Sequence, residues 1–300
     1  MRVLIFGAGA LGSLIGALLS KRNEVTLVGR REHMSSIQAE GLRISGHTEM
    51  LARPSAVERV EDLSGYDYVF LTVKSYDTRS AMKSLAKLPG LSTVVTMQNG
   101  LGNLETIGGY ANNVIGGTTS HGATLRGPGD VVHAGMGDTV AGIYKGVSRE
   151  SLDPLAGELT ACGMRTDVTE NLSGEVWAKA IVNAGINPLT AILGARNGYL
   201  LGNPEVTGML EDVCLEAIEV ATTCEIPLPK DDLVERTKRV ARMTAQNMSS
   251  MLQDVVRRRK TEIDSITGEI VRQGNDRGVP TPLNSALLAV VKGMENSYGV

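Results

Sequence analysis

Apolar runs and the polar breaks between them divide this 300-residue chain into two halves of different character. Segments 2 to 7 (RVLIFG), 24 to 29 (EVTLVG), 67 to 73 (DYVFLTV) and 93 to 98 (TVVTMQ) are nearly continuous apolar stretches. Such runs, without alternation, are the pattern of strands covered on both faces in a parallel sheet. Helical patterning fills the intervals around 10 to 22, 31 to 40, 76 to 87 and 102 to 109, which sets a βαβ rhythm. From 113 to 144 the chain changes to Gly-punctuated strands, VIGGTT, VVHAG and TVAGIY, expected to pair in antiparallel or mixed fashion. After about residue 169 strand signals stop and helical ones take over. Asn203-Pro204 and Thr281-Pro282 each read as an N-cap with proline at the first helical position, and Gly278 followed by Pro280 reads as a helix stop. The pattern predicts an α/β Rossmann domain, doubly wound around a mostly parallel sheet, over residues 1–168, and an all-helical domain over 169–300.

The first strand runs into GAGALG, the segment Gly7, Ala8, Gly9, Ala10, Leu11 and Gly12, and from there into a helix. Strand, tight glycine turn, helix and second strand within some thirty residues are the context in which this motif binds a dinucleotide. Gly7 makes the turn, Gly9 lets backbone N–H groups approach a pyrophosphate, and Gly12 allows close packing of helix on strand. The second strand ends Val28-Gly29-Arg30-Arg31, where an NAD-selective site would place a carboxylate for the ribose hydroxyl. Two guanidiniums suit a 2′-phosphate instead, so NADP(H) is the expected cofactor and Arg30 the better candidate of the pair. The competing reading is a pair of surface arginines at a helix start. Lys74 follows the third apolar strand at the carboxyl edge, where a solvated lysine is equally plausible. Gln98-Asn99-Gly100 ends the next strand at the same edge, and Asn-Gly is turn chemistry before it is a ligand site.

In the second half, WAKAIVNAGINPLT (177 to 190) places Lys179, Asn183 and Asn187 at intervals of four within apolar and small residues. On a helix each such step drifts by only about 40°, so an ammonium and two carboxamides form one polar stripe on an otherwise buried helix. Buried polar groups of this kind require partners. A Rossmann half delivers hydride but no proton, so Lys179 is the candidate general acid and the asparagines candidate substrate holders. The alternative is that they bond neighbouring backbone or anchor a domain interface. Pro188 removes a helix hydrogen bond, and a kink there would splay Asn187 toward the cleft. Ser250 to Gln253 has the form of a capping box, which makes Ser250 an N-cap, and Glu262 reads as a surface acid.

Composition narrows the function classes. A 42% hydrophobic content and mean hydropathy of −0.01 describe a globular chain, and a net charge of −3 with interspersed signs indicates neither nucleic acid nor membrane surface as partner. The one dense basic run, Arg257 to Lys260, reads as a solvated helix face. Cys162, Cys214 and Cys224 lack metal-type spacing, so no metal site is expected; Cys214 and Cys224 read as small core residues, and the odd count fits a reducing cytoplasm. No apolar run is expected to reach the ~18 residues of a membrane span, and the N-terminus goes into a strand without a signal peptide.

GAGALG, VKSYDT from Val73, QNG at 98 to 100, WAKAIVNAGINPLTA at 177 to 191, and SSMLQD with KTEID together resemble the ketopantoate reductase (2-dehydropantoate 2-reductase) family, in its order and spacing over nearly the whole chain. The resemblance implies NADPH-dependent reduction of 2-dehydropantoate to (R)-pantoate on the way to pantothenate and coenzyme A. It also implies a helical domain similar to that of 6-phosphogluconate dehydrogenase relatives, with substrate in the cleft. By position it makes Lys179 the proton donor and Asn183, Asn187, Asn197 and Ser250 substrate holders. Asn99 would lie between nicotinamide and substrate, Glu262 at the nicotinamide end, Arg30 and Lys74 at the adenosine phosphate, and backbone Ala123 beside the cofactor. Coenzyme A, which also carries an adenosine phosphate, is a candidate feedback inhibitor. The helical half could supply a homodimer interface, or its apolar residues could be its own core. Rival readings are a reductase of another keto acid or imine on the same scaffold, and a non-catalytic NADP-binding regulator.

Overall fold

The computed structural model describes residues 1–299 and divides into two compact units, one made of Met1–Gln98 with Asn103–Leu172, the other of Asn99–Gly102 with Ser173 and the described residues after it. The first unit is built from β1 (Arg2–Phe6), α1 (Ala10–Leu19), β2 (Glu24–Val28), α2 (Arg31–Glu40), β3 (Leu42–Gly46), β4 (Met50–Ala52), β5 (Ser55–Val57) and β6 (Tyr68–Leu71). It continues with α3 (Thr78–Leu85), β7 (Thr93–Thr96), α4 (Asn103–Gly108), β8 (Asn113–Thr119), β9 (Gly122–Gly127), β10 (Asp130–Gly135), β11 (Thr139–Lys145), α5 (Arg149–Ala161) and β12 (Thr166–Thr169). Eight strands form one sheet in the order β12-β11-β8-β7-β6-β1-β2-β5, and β4-β3-β10-β9 form a second.

In the large sheet β5, β2, β1, β6, β7 and β8 run parallel, and β11 joins β8 in antiparallel register with Thr139 opposite Thr119. The continuous apolar runs have the expected cause. Val3, Ile5, Phe70 and Val95 enter one hydrophobic cluster while Leu4, Val69, Leu71 and Val94 enter another, so successive residues serve opposite, equally covered faces. The apolar patterning did not reveal the short strands β3, β4, β5, β9 and β12 or helix α5. Of these, β5 and β12 are the edges of the large sheet and β4 and β9 those of the small one, where one side has no partner and apolar runs are not needed.

The second unit is helical: α6 (Leu172–Leu193), α7 (Pro204–Thr223), α8 (Leu233–Met243), α9 (Ser250–Val256), α10 (Glu269–Arg277) and α11 (Pro282–Asn296). Leu210, Val213, Cys214, Ala217, Val220 and Ala221 of α7 recur at helical spacing and are fully buried. They pack with the buried residues of α6, and a Cβ at Gly185 would stand 2.6 Å from Cys214 Sγ, which measures how closely those helices approach. Cys214 is thus a core residue, and Cys224 packs half-buried against the same cluster. At 22 residues, α6 is long and apolar enough to cross a membrane, contrary to the expectation from the apolar runs; 72% of its most apolar window is buried, as befits a core helix.

Helix ends follow the expected devices in part. Asn203 Oδ1 accepts from Glu205 N–H and Val206 N–H at 3.0 and 3.2 Å, and Gly278 closes α10 in the left-handed region at φ 71°. Thr281 makes no side-chain cap. The carboxylate of Glu216 on α7 takes its place, accepting from Leu283 N–H and Asn284 N–H at 2.9 and 3.0 Å. The basic run lies beyond the end of α9, with Arg258 at φ 50°, so its exposed side chains stand on a turn and not on a helix face.

Candidate active site and cofactor-binding edge

The glycine turn of the first unit has the geometry that its three glycines require. Gly7 sits at φ 106°, and Gly7 N–H and Ala8 N–H both donate to Val28 O, tying the turn to the end of β2. At Gly12 a Cβ would lie 2.4 Å from Thr72 Oγ1 and 2.7 Å from Gly7 O, so any side chain would force α1 off β1. Gly9 is the opposite case: a Cβ there would meet only Gly7 O, at 3.9 Å, which leaves the outer side of the turn open. Ala10, Leu11 and Gly12 open α1, and the first intrahelical bond is from Ser13 N–H to Gly9 O at 2.9 Å. The three preceding N–H groups therefore have no intrahelical acceptor and present a positive helix end to whatever approaches Gly9. These residues fit the pyrophosphate of a nicotinamide dinucleotide.

Arg30 is the N-cap residue of α2 and Arg31 its first residue, both exposed. Arg31 Nε stands 3.5 Å from Glu58 Oε1, while Arg30 has no ion-pair partner among the described residues. Lys74 is half-buried just past β6, ahead of a 3-10 turn at Ser75–Asp77. Gln98 braces the same edge, with Nε2 donating to Val73 O at 2.7 Å and to Thr78 Oγ1 at 2.8 Å. Ala123 is half-buried on β9, opposite His133.

In the second unit α6 carries the polar stripe. Trp177, Ala178, Ile181, Val182, Ala184, Ile186 and Leu189 around it are buried, as a helix apolar on its other faces should be. Lys179 is half-buried, and desolvation of its ammonium lowers its pKa to about 8. Asn183 Nδ2 donates to Asn99 Oδ1 at 3.3 Å, and Asn187 is 5% exposed. The helix runs unbroken through Pro188 to Leu193. Thr190 Oγ1 lies 3.0 Å from the Ile186 and Asn187 carbonyls and 2.7 Å from Ser249 Oγ.

The segment Asn99–Gly102 is held against the turn that follows α9: Leu101 N–H donates to Ser265 O at 2.7 Å, and Gly100, at φ 86°, leaves no room for a Cβ beside that carbonyl. Ser265 N–H and Ser265 Oγ in turn bond Glu262 O, and a π-turn spans Asp264–Gly268. Glu262 is 7% exposed, which overturns its reading as a surface acid. A chain of named bonds thus connects the stripe to Asn99 and on to the backbone of the Glu262 turn.

Asn197 lies on a 3-10 turn (Asn197–Leu201) pinned by three bonds, from its N–H to Asn247 O, from Gly198 N–H to Ala245 O and from its Nδ2 to Thr244 Oγ1. Its Oδ1 is buried without a hydrogen-bond partner among the described residues. A buried acceptor left bare costs on the order of 1–3 kcal/mol, and a ligand hydroxyl would remove that cost. The cap of α9 is Ser249, whose Oγ accepts Leu252 N–H at 3.1 Å. Ser250 is the first helical residue and is exposed, so the cap falls one position earlier than the expected pattern, with Leu252 at N3 and hence no capping box, and the Ser250 hydroxyl is not consumed by the cap.

The ketopantoate reductase PanE/ApbA family matches residues 3–146, and the ketopantoate reductase PanE/ApbA C terminal family matches residues 171–295. The 2-dehydropantoate 2-reductase of Archaeoglobus fulgidus is 38% identical over 296 residues, covering 98% of both chains. The chain belongs to the ketopantoate reductase family. Among this family the enzyme of Pyrococcus horikoshii is 37% identical over all of this chain and 99% of its own. The crystal structure of a PanE/ApbA family ketopantoate reductase from Ralstonia eutropha superposes with a TM-score of 0.92 at 32% identity, covering both chains fully. D-mandelate dehydrogenase in ternary complex with NADH and anilino(oxo)acetate reaches 0.91 at 28% identity over the same extent. The α/β sheet unit followed by a helical unit is accordingly the ketopantoate reductase architecture.

Proposed function

We propose that this chain reduces 2-dehydropantoate to (R)-pantoate, in the route to pantothenate and coenzyme A, with NADPH as the preferred reductant. The observation that carries the reading is the desolvated Lys179 ammonium at the head of the Asn183 and Asn187 stripe, in a chain of the ketopantoate reductase family. A reduced nicotinamide dinucleotide, when bound, supplies the hydride that reaches the keto carbon. Lys179 Nζ donates the proton that the keto oxygen takes up, and it polarises that carbonyl beforehand. Asn183 and Asn187 donate to the substrate's carboxylate or hydroxyl, and Asn197 Oδ1 accepts from a hydroxyl, satisfying its bare lone pairs. Ser250 adds a hydroxyl to the same grip. Asn99, oriented by Asn183, and Glu262 serve the nicotinamide end, with Glu262 accepting from hydroxyl or amide groups. Gly7 to Gly12 hold the pyrophosphate, backbone Ala123 flanks the cofactor, and Arg30 with Lys74 takes the 2′-phosphate. The unpaired Arg30 guanidinium and the lack of a carboxylate at the end of β2 support NADPH over NADH.

Reduction of a panel of 2-keto acids, followed by nicotinamide absorbance with NADPH and with NADH, tests the reading. The expected result is the highest kcat/KM with 2-dehydropantoate and NADPH. A higher value for another 2-keto acid would favour the second reading, a different keto-acid reductase on this scaffold, which the likeness to D-mandelate dehydrogenase supports. Tight dinucleotide binding without turnover of any keto acid would favour a regulator. A cytoplasmic homodimer, and coenzyme A competing at the NADP site, belong to the same proposal; sedimentation and inhibition assays check them.

A further inference from the structure

His33 is buried on the first turn of α2, three residues past Arg30. Its Nδ1 accepts the Gly129 N–H at 2.9 Å, and its Nε2 lies 2.9 Å from Ser13 Oγ. A backbone amide can only donate, so Nδ1 carries no proton; the neutral ring then carries it on Nε2 and donates to Ser13. Burial lowers the pKa of His33, in keeping with that neutral form. Ser13 is fully buried beside Gly12 in the first turn of α1, and its own N–H closes that turn on Gly9 O. At the other end, Gly129 has φ 70°, and Ser36 of α2 donates to the neighbouring Pro128 O at 3.1 Å.

One imidazole therefore joins the glycine turn, the start of α2 and the turn between β9 and β10. The bonds from Gly7 and Ala8 to Val28 O reach only the end of β2. The His33 bonds extend that link to the helical turn whose N-cap is Arg30. We propose that His33 is a positioning residue for the cofactor, holding Arg30 at a fixed offset from the glycine turn so that pyrophosphate and 2′-phosphate are gripped together. This rests on the NADPH reading given above. A loosened offset weakens NADPH binding more than NADH binding, because NADH has no 2′-phosphate for Arg30 to reach.

The test is the Kd of each dinucleotide for the full chain, by nicotinamide fluorescence, in Ser13→Ala and His33→Asn. His33→Asn keeps an acceptor for Gly129 and loses the bond to Ser13. Loss of one buried bond should raise the NADPH Kd roughly five- to tenfold and the NADH Kd less than about twofold, with kcat at saturating NADPH and the keto-acid KM unchanged. Arg30→Ala serves as the calibrator. If it leaves the NADPH to NADH ratio unmoved, the NADPH reading and this inference fall together. If it moves the ratio while both other variants leave it alone, the positioning role alone is overturned. Should those variants not fold, amide exchange at Gly129 in the wild-type chain decides: NADPH should slow it more than NADH does, and equal slowing refutes the proposal.

Discussion

Replacing Lys179 tests the proposed chemistry and its energetic cost together. Bringing the pKa down from the ordinary 10.5 to about 8 corresponds to about 3 kcal/mol held against the charged form. At pH 7 the ammonium is still about nine-tenths protonated, a population suited to a general acid working near neutrality. As pH rises through about 8 the acid is lost, so kcat should be level below pH 7 and fall about tenfold per pH unit above 8. Lys179→Ala should lower kcat by roughly 10² to 10⁴ and leave the NADPH Kd intact. Stability changes in the opposite sense. Between the folded pKa near 8 and the unfolded value near 10.5 the unfolded chain holds a proton that the folded chain releases, so stability rises with pH across that window. Below it the desolvation cost is present in full, and Lys179→Met, which leaves an apolar chain of similar length, should raise the unfolding free energy at pH 7 by up to about 3 kcal/mol. Urea titrations at pH 7 and pH 10 measure the gain, which should shrink at the higher pH. Unchanged turnover in Lys179→Ala, or a kcat profile flat from pH 7 to pH 10, would refute the reasoning.

Two further outcomes concern the neighbouring groups. Arg30→Ala should raise the NADPH KM by about tenfold or more and leave the NADH KM nearly unchanged, since a charge-assisted contact to phosphate is worth roughly 1.5–3 kcal/mol; parallel steady-state titrations measure it, and equal effects on both cofactors would remove Arg30 from the phosphate site. Ser249→Ala should cost about 1 kcal/mol of stability as a lost cap, whereas Ser250→Ala should leave the melting temperature in place and raise the keto-acid KM. The reverse assignment of those two effects would restore Ser250 as the cap.

The features legible in the chain were those enforced over many consecutive residues. Inner strands such as β1 and β6 must be apolar at every position because both faces are covered, and the glycine turn admits no Cβ at Gly12. The stripe on α6 was readable for the same reason: once the other faces are apolar, residues four apart stand out as one polar line. Features that depend on a single distant neighbour were not. Thr281 precedes α11 and Glu216 lies on α7, and only the packing of those two helices puts a carboxylate, in place of the threonine hydroxyl, at the start of α11. Of two adjacent serines, the one that caps α9 is the one that meets Thr190. Asn247, whose carbonyl holds Asn197 in place, carried no sequence signal because its contribution is backbone geometry.

The sequence by itself determined the class of each half, the glycine turn between β1 and α1 and the line of polar groups on α6, because these are set by local periodicity and by steric limits on glycine. Tertiary structure decided the rest. It buried Glu262 behind a π-turn, joined Asn99 to Asn183, left Asn197 Oδ1 bare and lowered the pKa of Lys179. Burial and hydrogen-bond partnership are properties of the neighbours that surround a side chain in space, and those neighbours lie far from it along the chain.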